Sequence, residues 1–451
     1  MTATEDTIVA LASAPGIGAI SVIRLSGPNA LDIAQRSCKR TLSPRTATLG
    51  TVFDELDQPI DTGLFIAFPG PHSFTGEHVV EFQGHGGSVV TQAVIHEFLK
   101  LGAVPANPGQ FSERAFLNGK LDLIQAEAIS DLIHATSLQA VRAANQSLKG
   151  VFSDSVTTLS TQIVALRVQV EAHLDFPDED IQPATLDGLS KHIKTTLDDA
   201  NMLLASARQG VILNTGLKVV LLGPPNAGKS SLLNCLAQQP LAIVTNIPGT
   251  TRDAIQHHLQ IDDLRLQFVD TAGIRITDDL IESEGIRRAH QAACQADIIM
   301  CLFDHTVPHI NPVWLDHILP ENWTTEIPII LVQNKHDIQP EPATNVTSYP
   351  LCQISAHTSV GIHDLIATLK TTMGFQSEHT TPFIARERHV YRLSNVIRSL
   401  DAAHSLPCDL DHLELIADEL RWSHIALQEM TGQFHSDELL GEIFSTFCIG
   451  K

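Results

Sequence analysis

Apolar positions along the chain fall into three successive rhythms. Over residues 1 to about 118, short apolar runs alternate with Gly/Pro punctuation, as in AISVIRLSG, GLFIAFPGP and EHVVEFQGHGG. Runs of this length bounded by turn formers predict strands. The segment VVTQAVIHEFLKLG predicts a helix among them. This first stretch reads as an α+β domain. From Leu121 to Phe176 there is no proline and one glycine, Gly150. Within it, LIQAEAISDLIHATSLQAV and TLSTQIVALRVQVEAHL repeat apolar residues every three or four positions, which predicts long amphipathic helices. FPDEDI interrupts the pattern, and a further helix is expected to run towards Ala207.

From about Leu217 to Met373 the text changes again. The β-rich runs KVVLLG, LRLQFVD, IIMCLFD, IPIILVQNK and LCQISA alternate with helical stretches. That is the rhythm of a doubly wound α/β domain. After Pro382 the pattern returns to helix, through LDHLELIADELRWSHIALQEM. The simplest architecture is an α+β N-terminal domain over 1–118 and a helical domain in two parts, 119–210 and 377–451. An α/β domain at 211–376 is inserted between the two helical parts.

Composition narrows the class. A chain of 451 residues with 43% hydrophobic content can bury the cores of several domains. No apolar run reaches the roughly 18 residues of a membrane span, and no membrane association is expected. The N-terminal MTATEDTIVALASAPG lacks a basic start before its apolar stretch, so it does not read as a signal peptide. Seven cysteines are scattered without a CxxC pair, which fits a reducing, cytoplasmic setting and argues against a structural zinc site. The net charge of -22, taken alone, argues against a non-specific nucleic-acid binder, because phosphate contacts need a basic field. Any RNA contact must use a local basic patch or a basic partner.

Chemistry enters at Gly223. GPPNAGKSS follows the apolar run KVVLL and fits the P-loop pattern G-x-x-x-x-G-K-[ST]. Backbone N–H groups of Asn226, Ala227, Gly228, Lys229, Ser230 and Ser231 would cradle phosphate oxygens at a helix N-terminus. Lys229 supplies charge to the β/γ-phosphates and Ser230 a hydroxyl for magnesium. Three further pieces follow in the order a GTPase needs. The first is PGTTRD, Pro248 to Asp253, which offers Gly249, Thr250 and Thr251 on an expected loop, preceded by Thr245, Asn246 and Ile247. The second is DTAG, residues Asp270, Thr271, Ala272 and Gly273, after a strand. The third is NKHD, with Asn334, Lys335 and Asp337, after IPIILVQ. Asp337 can accept two hydrogen bonds from the guanine edge, and Ser355 and Ala356 would complete that pocket. Adenine would leave the carboxylate unpaired, a mismatch of the kind worth ~10⁴-fold or more in discrimination.

The residue after DTAG is Ile274, where Ras-like GTPases place a water-orienting glutamine. Another polar group must act. Asn226 can offer its side-chain oxygen to a monovalent cation lying between the phosphates, or it can simply order the loop. A carboxylate in DDLIESEGIRRA can hold the attacking water, and sequence alone does not separate Glu282 from Glu284, Asp278 and Asp279. Arg252 and Arg275 read as phosphate-steering or surface charges.

NAGKSS, IVTNIPGTTRD, DTAG and the terminal FCIGK, together with SFTGE, EFQGHGG, FSERAFLNGKLDL, QAEAISDLI and DFPDEDI, resemble the MnmE (TrmE) family over the whole chain. The resemblance implies a Ras-like GTPase domain that dimerises in potassium. Asn226, Thr245, Ile247 and Thr250 would ligate the potassium, Ser230 and Thr251 the magnesium, and Glu282 would orient the water. It also implies an N-terminal domain that forms a homodimer and binds a 5-formyltetrahydrofolate through Arg24, Glu81, Lys120 and Lys451. The expected partners are GTP/GDP, tRNA and an FAD- and NADH-dependent MnmG-type protein in a heterotetramer. The expected outcome is an aminomethyl-type group on carbon 5 of the tRNA wobble uridine. Beside the resemblance, an Arg/Lys pair suits a glutamate tail or pteridine oxygen, and a carboxylate suits the pteridine amine edge.

Two other readings stand next to this one. Ribosome-assembly GTPases share the P-loop and switch sequences, but no GxxG in a basic setting marks a KH-type RNA domain here. A folate-binding scaffold with a GTPase switch is the second. Cys448 in the terminal CIGK is either a reactive thiol or a structural, ligand-lining residue. His85 in GHGG is either an acid/base group or a turn histidine.

Overall fold

A computed structural model of the chain describes residues 6–175, 183–224, 226–238, 242–244, 256–261, 264–269, 293, 296–304, 307, 309–310, 315, 319, 327–338, 344–345, 348–373, 383–409, 411–433, 437–447 and 450. Side chains at 183–187, 242–244, 256–258, 264, 269, 309–310, 344–345, 437–439 and 442 are outside this description. The chain folds as two units. One is built from Met1–His134, Ser147–Asn201 and Arg392–Lys451, the other from Ala135–Gln146 and Met202–Tyr391.

The first unit opens with a six-stranded sheet. Its strands are β1 (Ile8–Leu11), β2 (Gly18–Ser26), β3 (Thr48–Phe53), β4 (Pro59–Phe68), β5 (Val79–Gly86) and β6 (Val104–Pro105), in spatial order β3-β4-β5-β2-β1-β6. All neighbours are antiparallel except the β1–β6 pair. Alternation along the strands turns Ile23, Leu25, Phe65, Ala67, Val80 and Phe82 into one core. Ile33 and Ala34 of α1 (Ala30–Cys38) and Val94 and Phe98 of α2 (Ser88–Lys100) fill the same core. The same alternation turns Arg24, Ile66, Glu81 and Gln83 to the opposite face. A short helix, α3 (Gln110–Leu117), brings Phe111 against Ile8 and Ala10. The expected strands at AISVIRLSG, GLFIAFPGP and EHVVEFQGHGG are β2, β4 and β5, and the expected helix is α2.

The helical part of this unit includes α4 (Leu123–His134), α6 (Val151–Asp175), the start of α7 (Pro183–Thr215), most of α10 (Glu387–Ser405), α11 (Leu413–Thr431) and α12 (Asp437–Ser445). On α6 the buried series is Phe152, Val156, Leu159, Ile163, Leu166 and Val170, with Ser153 beside it. On α11 it is Leu413, Ile416, Leu420, Ser423, Leu427 and Met430, with Ala426 beside it. Both series step alternately by three and four, so each helix presents one straight seam, and α6 packs against α11. Segments that lie before and after the α/β domain in sequence therefore pack together.

One expectation is corrected. LIQAEAISDLIHATSLQAV does not run as a single helix but breaks at 135–137 into α4 and α5 (Leu138–Leu148). The break is capped from both sides. His134 Nδ1 donates to the Ser130 carbonyl at 2.8 Å, and the Ala140 N–H donates to Ser137 Oγ at 3.0 Å. FPDEDI lies outside the described residues, apart from its place after α6 in sequence.

The second unit contains a seven-stranded sheet in the order β15-β13-β11-β7-β10-β9-β8. The strands are β7 (Leu217–Leu222), β8 (Ala242–Val244), β9 (Gln256–Ile261), β10 (Leu264–Val269), β11 (Ile298–Phe303), β13 (Ile329–Gln333) and β15 (Leu351–Gln353). The pairs β10–β7, β7–β11, β11–β13 and β13–β15 are parallel, and β9 and β8 add an antiparallel margin. Every residue of β11 and β13 is buried. This is why these strands are almost continuously apolar rather than alternating. Two short strands, β12 (His309–Ile310) and β14 (Thr344–Asn345), pair separately. Helices α8 (Lys229–Ala237) and α9 (Ile362–Thr372) belong to the same unit. The fold is thus an α+β N-terminal domain, a helical domain and an inserted α/β P-loop domain.

Candidate functional site

In a parallel sheet, ligands gather where strands end at their carboxyl edge. Of the nucleotide pieces, the P-loop, NKHD and Ser355-Ala356 are described, and each follows such an end. The P-loop leaves β7 after Leu222, NKHD leaves β13 after Gln333, and Ser355-Ala356 follows β15. Gly228 caps α8 at φ 97, and Lys229 is the first helical residue. Asn226 sits at φ 63 and is exposed, a left-handed conformation that asparagine tolerates better than most residues. Lys229 Nζ donates to the Gly223 carbonyl at 2.6 Å. A phosphate there would offer a stronger, charge-assisted acceptor. Ser230 follows on the first turn of α8, exposed.

Asn334 joins the three loops. Its side chain is buried, its Nδ2 donates to the Ala227 carbonyl at 2.9 Å, and its Oδ1 accepts the Ala356 N–H at 3.0 Å. A Cβ on Gly228 would collide with that same Nδ2, so this position needs glycine both for its φ and for space. Asp337 is placed by Ser355, whose hydroxyl donates to Oδ1 at 2.7 Å. That bond holds the Asp337 carboxyl below its usual range, reinforced by the backbone and by His357 and His336. Ser355 Oγ in turn accepts the Thr358 N–H at 3.1 Å. Lys335, at φ 63, donates through Nζ to Asp304 Oδ2 at 2.6 Å. Asp304, at the end of β11, was invisible to sequence reasoning as anything beyond the tail of a strand.

Thr245–Thr251, Asp270–Gly273, Ile274 and Glu282 lie outside the described residues, as do Arg252, Arg275, Asp278, Asp279, Glu284, Cys448 and Lys451.

Two of the N-terminal candidates, Arg24 and Glu81, meet on the sheet face opposite the α1–α2 core. Arg24 on β2 and Glu81 on β5 are cross-strand partners. The Arg24 Nε and Nη2 both donate to Glu81 Oε1, at 3.0 and 2.7 Å. The guanidinium lies 5.6 Å from the ring centre of Phe74 and 5.8 Å from that of Phe111, within cation–π range. Nη1 donates to the Gly450 carbonyl at 3.3 Å, which brings the chain's end to this pocket. The stem of Lys120 runs beside Gly76 of SFTGE, and Asn118 Nδ2 donates to the Thr75 carbonyl at 2.7 Å. The strings SFTGE (73–77) and FSERAFLNGK (111–120), 34 or more positions apart in sequence, therefore form one wall.

The family model described as MnmE helical domain matches residues 123–448, and that described as GTP-binding protein TrmE N-terminus matches residues 7–120. The chain belongs to the MnmE family. The tRNA modification GTPase MnmE of Vibrio cholerae is 45% identical over 456 residues, 99% of this chain and 100% of that protein. The protein of the same name from Ectopseudomonas mendocina is 45% identical over 459 residues, 100% of both. Among solved structures, Aquifex aeolicus Era bound to GDP and aluminium fluoride is 24% identical, covers 41% of this chain and 66% of that one, and has a TM-score of 0.24.

Two groups in this MnmE-family chain escaped sequence reasoning. Arg114 on α3 is buried and donates through Nη1 to Glu77 Oε2 at 3.0 Å and to the Asp6 carbonyl at 2.9 Å. Ser26 Oγ bonds Glu77 Oε2 and Thr75 Oγ1, both at 2.7 Å. This network pins SFTGE to β2 and α3 and so fixes the wall beside Arg24. The signal was present in the two quoted strings, but nothing in either names its partner. No described helix is long and apolar enough to cross a membrane.

Proposed function

We propose that this MnmE-family chain is a GTP hydrolase of tRNA modification, stimulated by potassium. The observation that carries the nucleotide reading is the single hydrogen-bonded unit Ala227–Asn334–Ala356, with Asp337 held by Ser355 beside it. It joins a phosphate loop to a carboxylate suited to the guanine N–H edge. Asn226, Thr245, Ile247 and Thr250 would hold potassium, and Ser230 and Thr251 magnesium. The donor set suits both ions, since hydroxyl, amide and carbonyl oxygens are hard ligands. The cations supply charge neutralisation at the phosphates. Lys229 binds the β/γ-phosphates, and Glu282 orients the attacking water in place of the glutamine that Ile274 cannot supply.

The N-terminal domain would hold a 5-formyltetrahydrofolate at Arg24, Glu81, Lys120 and Lys451. A carboxylate and a guanidinium side by side, flanked by Phe74 and Phe111, suit a flat heterocycle with an amine edge. In this reading the chain works in the cytoplasm as a homodimer with an MnmG-type FAD protein, and together they add an aminomethyl or carboxymethylaminomethyl group to the wobble uridine.

GTP turnover in potassium against sodium tests the cation role. Asn226→Ala removes the amide but strains a residue at φ 63, whereas Asn226→Gly removes it without strain. Potassium should raise wild-type turnover by about 10²-fold and leave both variants unmoved. Equal wild-type rates in the two salts, or a potassium response kept by Asn226→Gly, would overturn the reading.

A further inference from the structure

Along β5 the face that carries Glu81 also carries Gln83 and His85, by the two-residue alternation of a strand. His85 stands four residues from Glu81, about 13 Å along the strand. Its surroundings differ from those of a surface ion pair. The β4–β5 ladder ends at the pair Leu64–Gln83. Beyond that point, Asp61 of β4 replaces the missing ladder partner. Its Oδ2 accepts the His85 backbone N–H at 2.8 Å, while its Oδ1 accepts the Thr62 N–H at 2.8 Å and the His85 ring Nδ1–H at 2.6 Å. The Asp61 side chain is 7% exposed and the His85 side chain 73%. A Cβ on Gly84 would collide with Asp61 Oδ2, so the strand has a hole at the place where the carboxylate lies.

A carboxylate held rigidly on Nδ1 fixes the imidazole tautomer and orientation, and leaves Nε2 with its lone pair facing solvent. Two hydrogen bonds fix the carboxylate to the backbone independently of the ring, so the ring is oriented by a group that does not itself depend on it. A turn histidine needs none of this. We propose that Asp61 and His85 form an acid–base dyad serving the ligand held by Arg24 and Glu81. His85 Nε2 takes a proton from an N–H or O–H of that ligand or of its reaction partner and later returns it. When Nε2 takes the proton the ring becomes imidazolium, its charge facing Asp61; when the proton leaves, neutral imidazole with Nδ1–H is restored. Asp61 acts as a positioning residue, and His85 is the group that touches the reacting atoms. Among the described residues, the charged groups facing this strand are Asp61 from β4, Glu81 on β5 itself and Arg24 from β2.

The inference rests on the folate reading, and its test separates the two. Full-length wild type, His85→Ala, His85→Asn and Asp61→Asn are compared for 5-formyltetrahydrofolate binding by calorimetry. Histidine ring tautomers are read by ¹⁵N NMR, and uridine modification with the FAD partner is followed across pH. Wild type that binds no folate overturns the folate reading, whatever His85 does. The dyad predicts that the variants keep GTP turnover within about twofold. Wild-type His85 should show the Nδ1–H tautomer, and Asp61→Asn should lose it and move the pH profile of modification. His85→Ala and His85→Asn should both lower modification by ~10²-fold or more. His85→Asn keeps an N–H that can face Asp61 but carries no transferable proton. Full modification in His85→Asn would therefore reduce the pair to a structural clamp and overturn the proposal, as would a wild-type Nε2–H tautomer.

Discussion

Asn334 and Ala227 lie 107 positions apart in sequence and meet through one buried 2.9 Å hydrogen bond, Nδ2–H to carbonyl oxygen. With the Ala356 N–H on Oδ1, a single side chain holds the phosphate loop to both loops of the base pocket. Asn334→Ala removes two hydrogen bonds and leaves a buried carbonyl unpaired, at about 1 kcal/mol or more for each bond. GDP affinity measured by titration calorimetry should drop by at least tenfold. Unchanged affinity would mean that the loops hold their places without this link.

Asp337 should set base choice. Asn in its place offers one acceptor and one donor, where the guanine edge needs two acceptors and xanthine, with an oxygen replacing the amine, needs one of each. Asp337→Asn should therefore lose GTP and gain XTP, read as the ratio of turnover rates for the two nucleotides. The Ser355 hydroxyl stabilises the ionised carboxylate, which is why the Asp337 carboxyl sits below its usual range. Its contribution to binding is fully present above the usual range and is lost as pH falls below that range, through the lowered value. Removing the hydroxyl in Ser355→Ala raises the carboxyl, so the acid limb of GTP binding should move to higher pH. An unmoved acid limb would assign that titration to another group.

Arg24 should report on the N-terminal pocket alone. Arg24→Ala strands Glu81, releases the Gly450 carbonyl and empties the space between Phe74 and Phe111. Loss of one charge-assisted, partly buried anchor costs about 1.5–3 kcal/mol, so 5-formyltetrahydrofolate should bind on the order of tenfold to 10²-fold more weakly by calorimetry. GTP turnover by the isolated protein should stay the same. A loss of both would show that the variant had unfolded rather than lost a contact.

How much of this was legible in the sequence depends on whether the signal was local. β11 and β13 were readable because both faces are covered, which leaves a continuous apolar word. The seams of α6 and α11 were readable because their three-and-four spacing survives without knowing the partner. β1 was not, since IVAL is four residues long and carries no alternation. β3, TLGTVF, has Gly50 in its middle, and glycine weakens the strand signal. The helix break at 135–137 is not legible because its capping side chains, His134 and Ser137, are polar residues inside an otherwise regular apolar rhythm. In the sites, the motifs named the players, but not the pairings. Asn334 with Ala227, Lys335 with Asp304, Arg114 with Glu77 and His85 with Asp61 are all made by the topology.

The cysteines give a prediction that needs no ligand. Cys301 lies in the fully buried β11, and burial pushes its thiol up to about 12. Burial raises Cys38 and Cys352 in the same direction. The thiolate is the reactive form, so at neutral pH these three should resist iodoacetamide in the folded chain. Among the described cysteines, Cys408 is the least buried and should label first, as read by peptide mass spectrometry after short exposure. In denaturant all should label at similar rates, since the raised values belong to the fold and not to the residues. Fast native labelling of Cys301 would require β11 to open on the time scale of the reaction. Because β11 lies between β7 and β13 in the interior of the sheet, the P-loop and the NKHD loop would then have lost their common support.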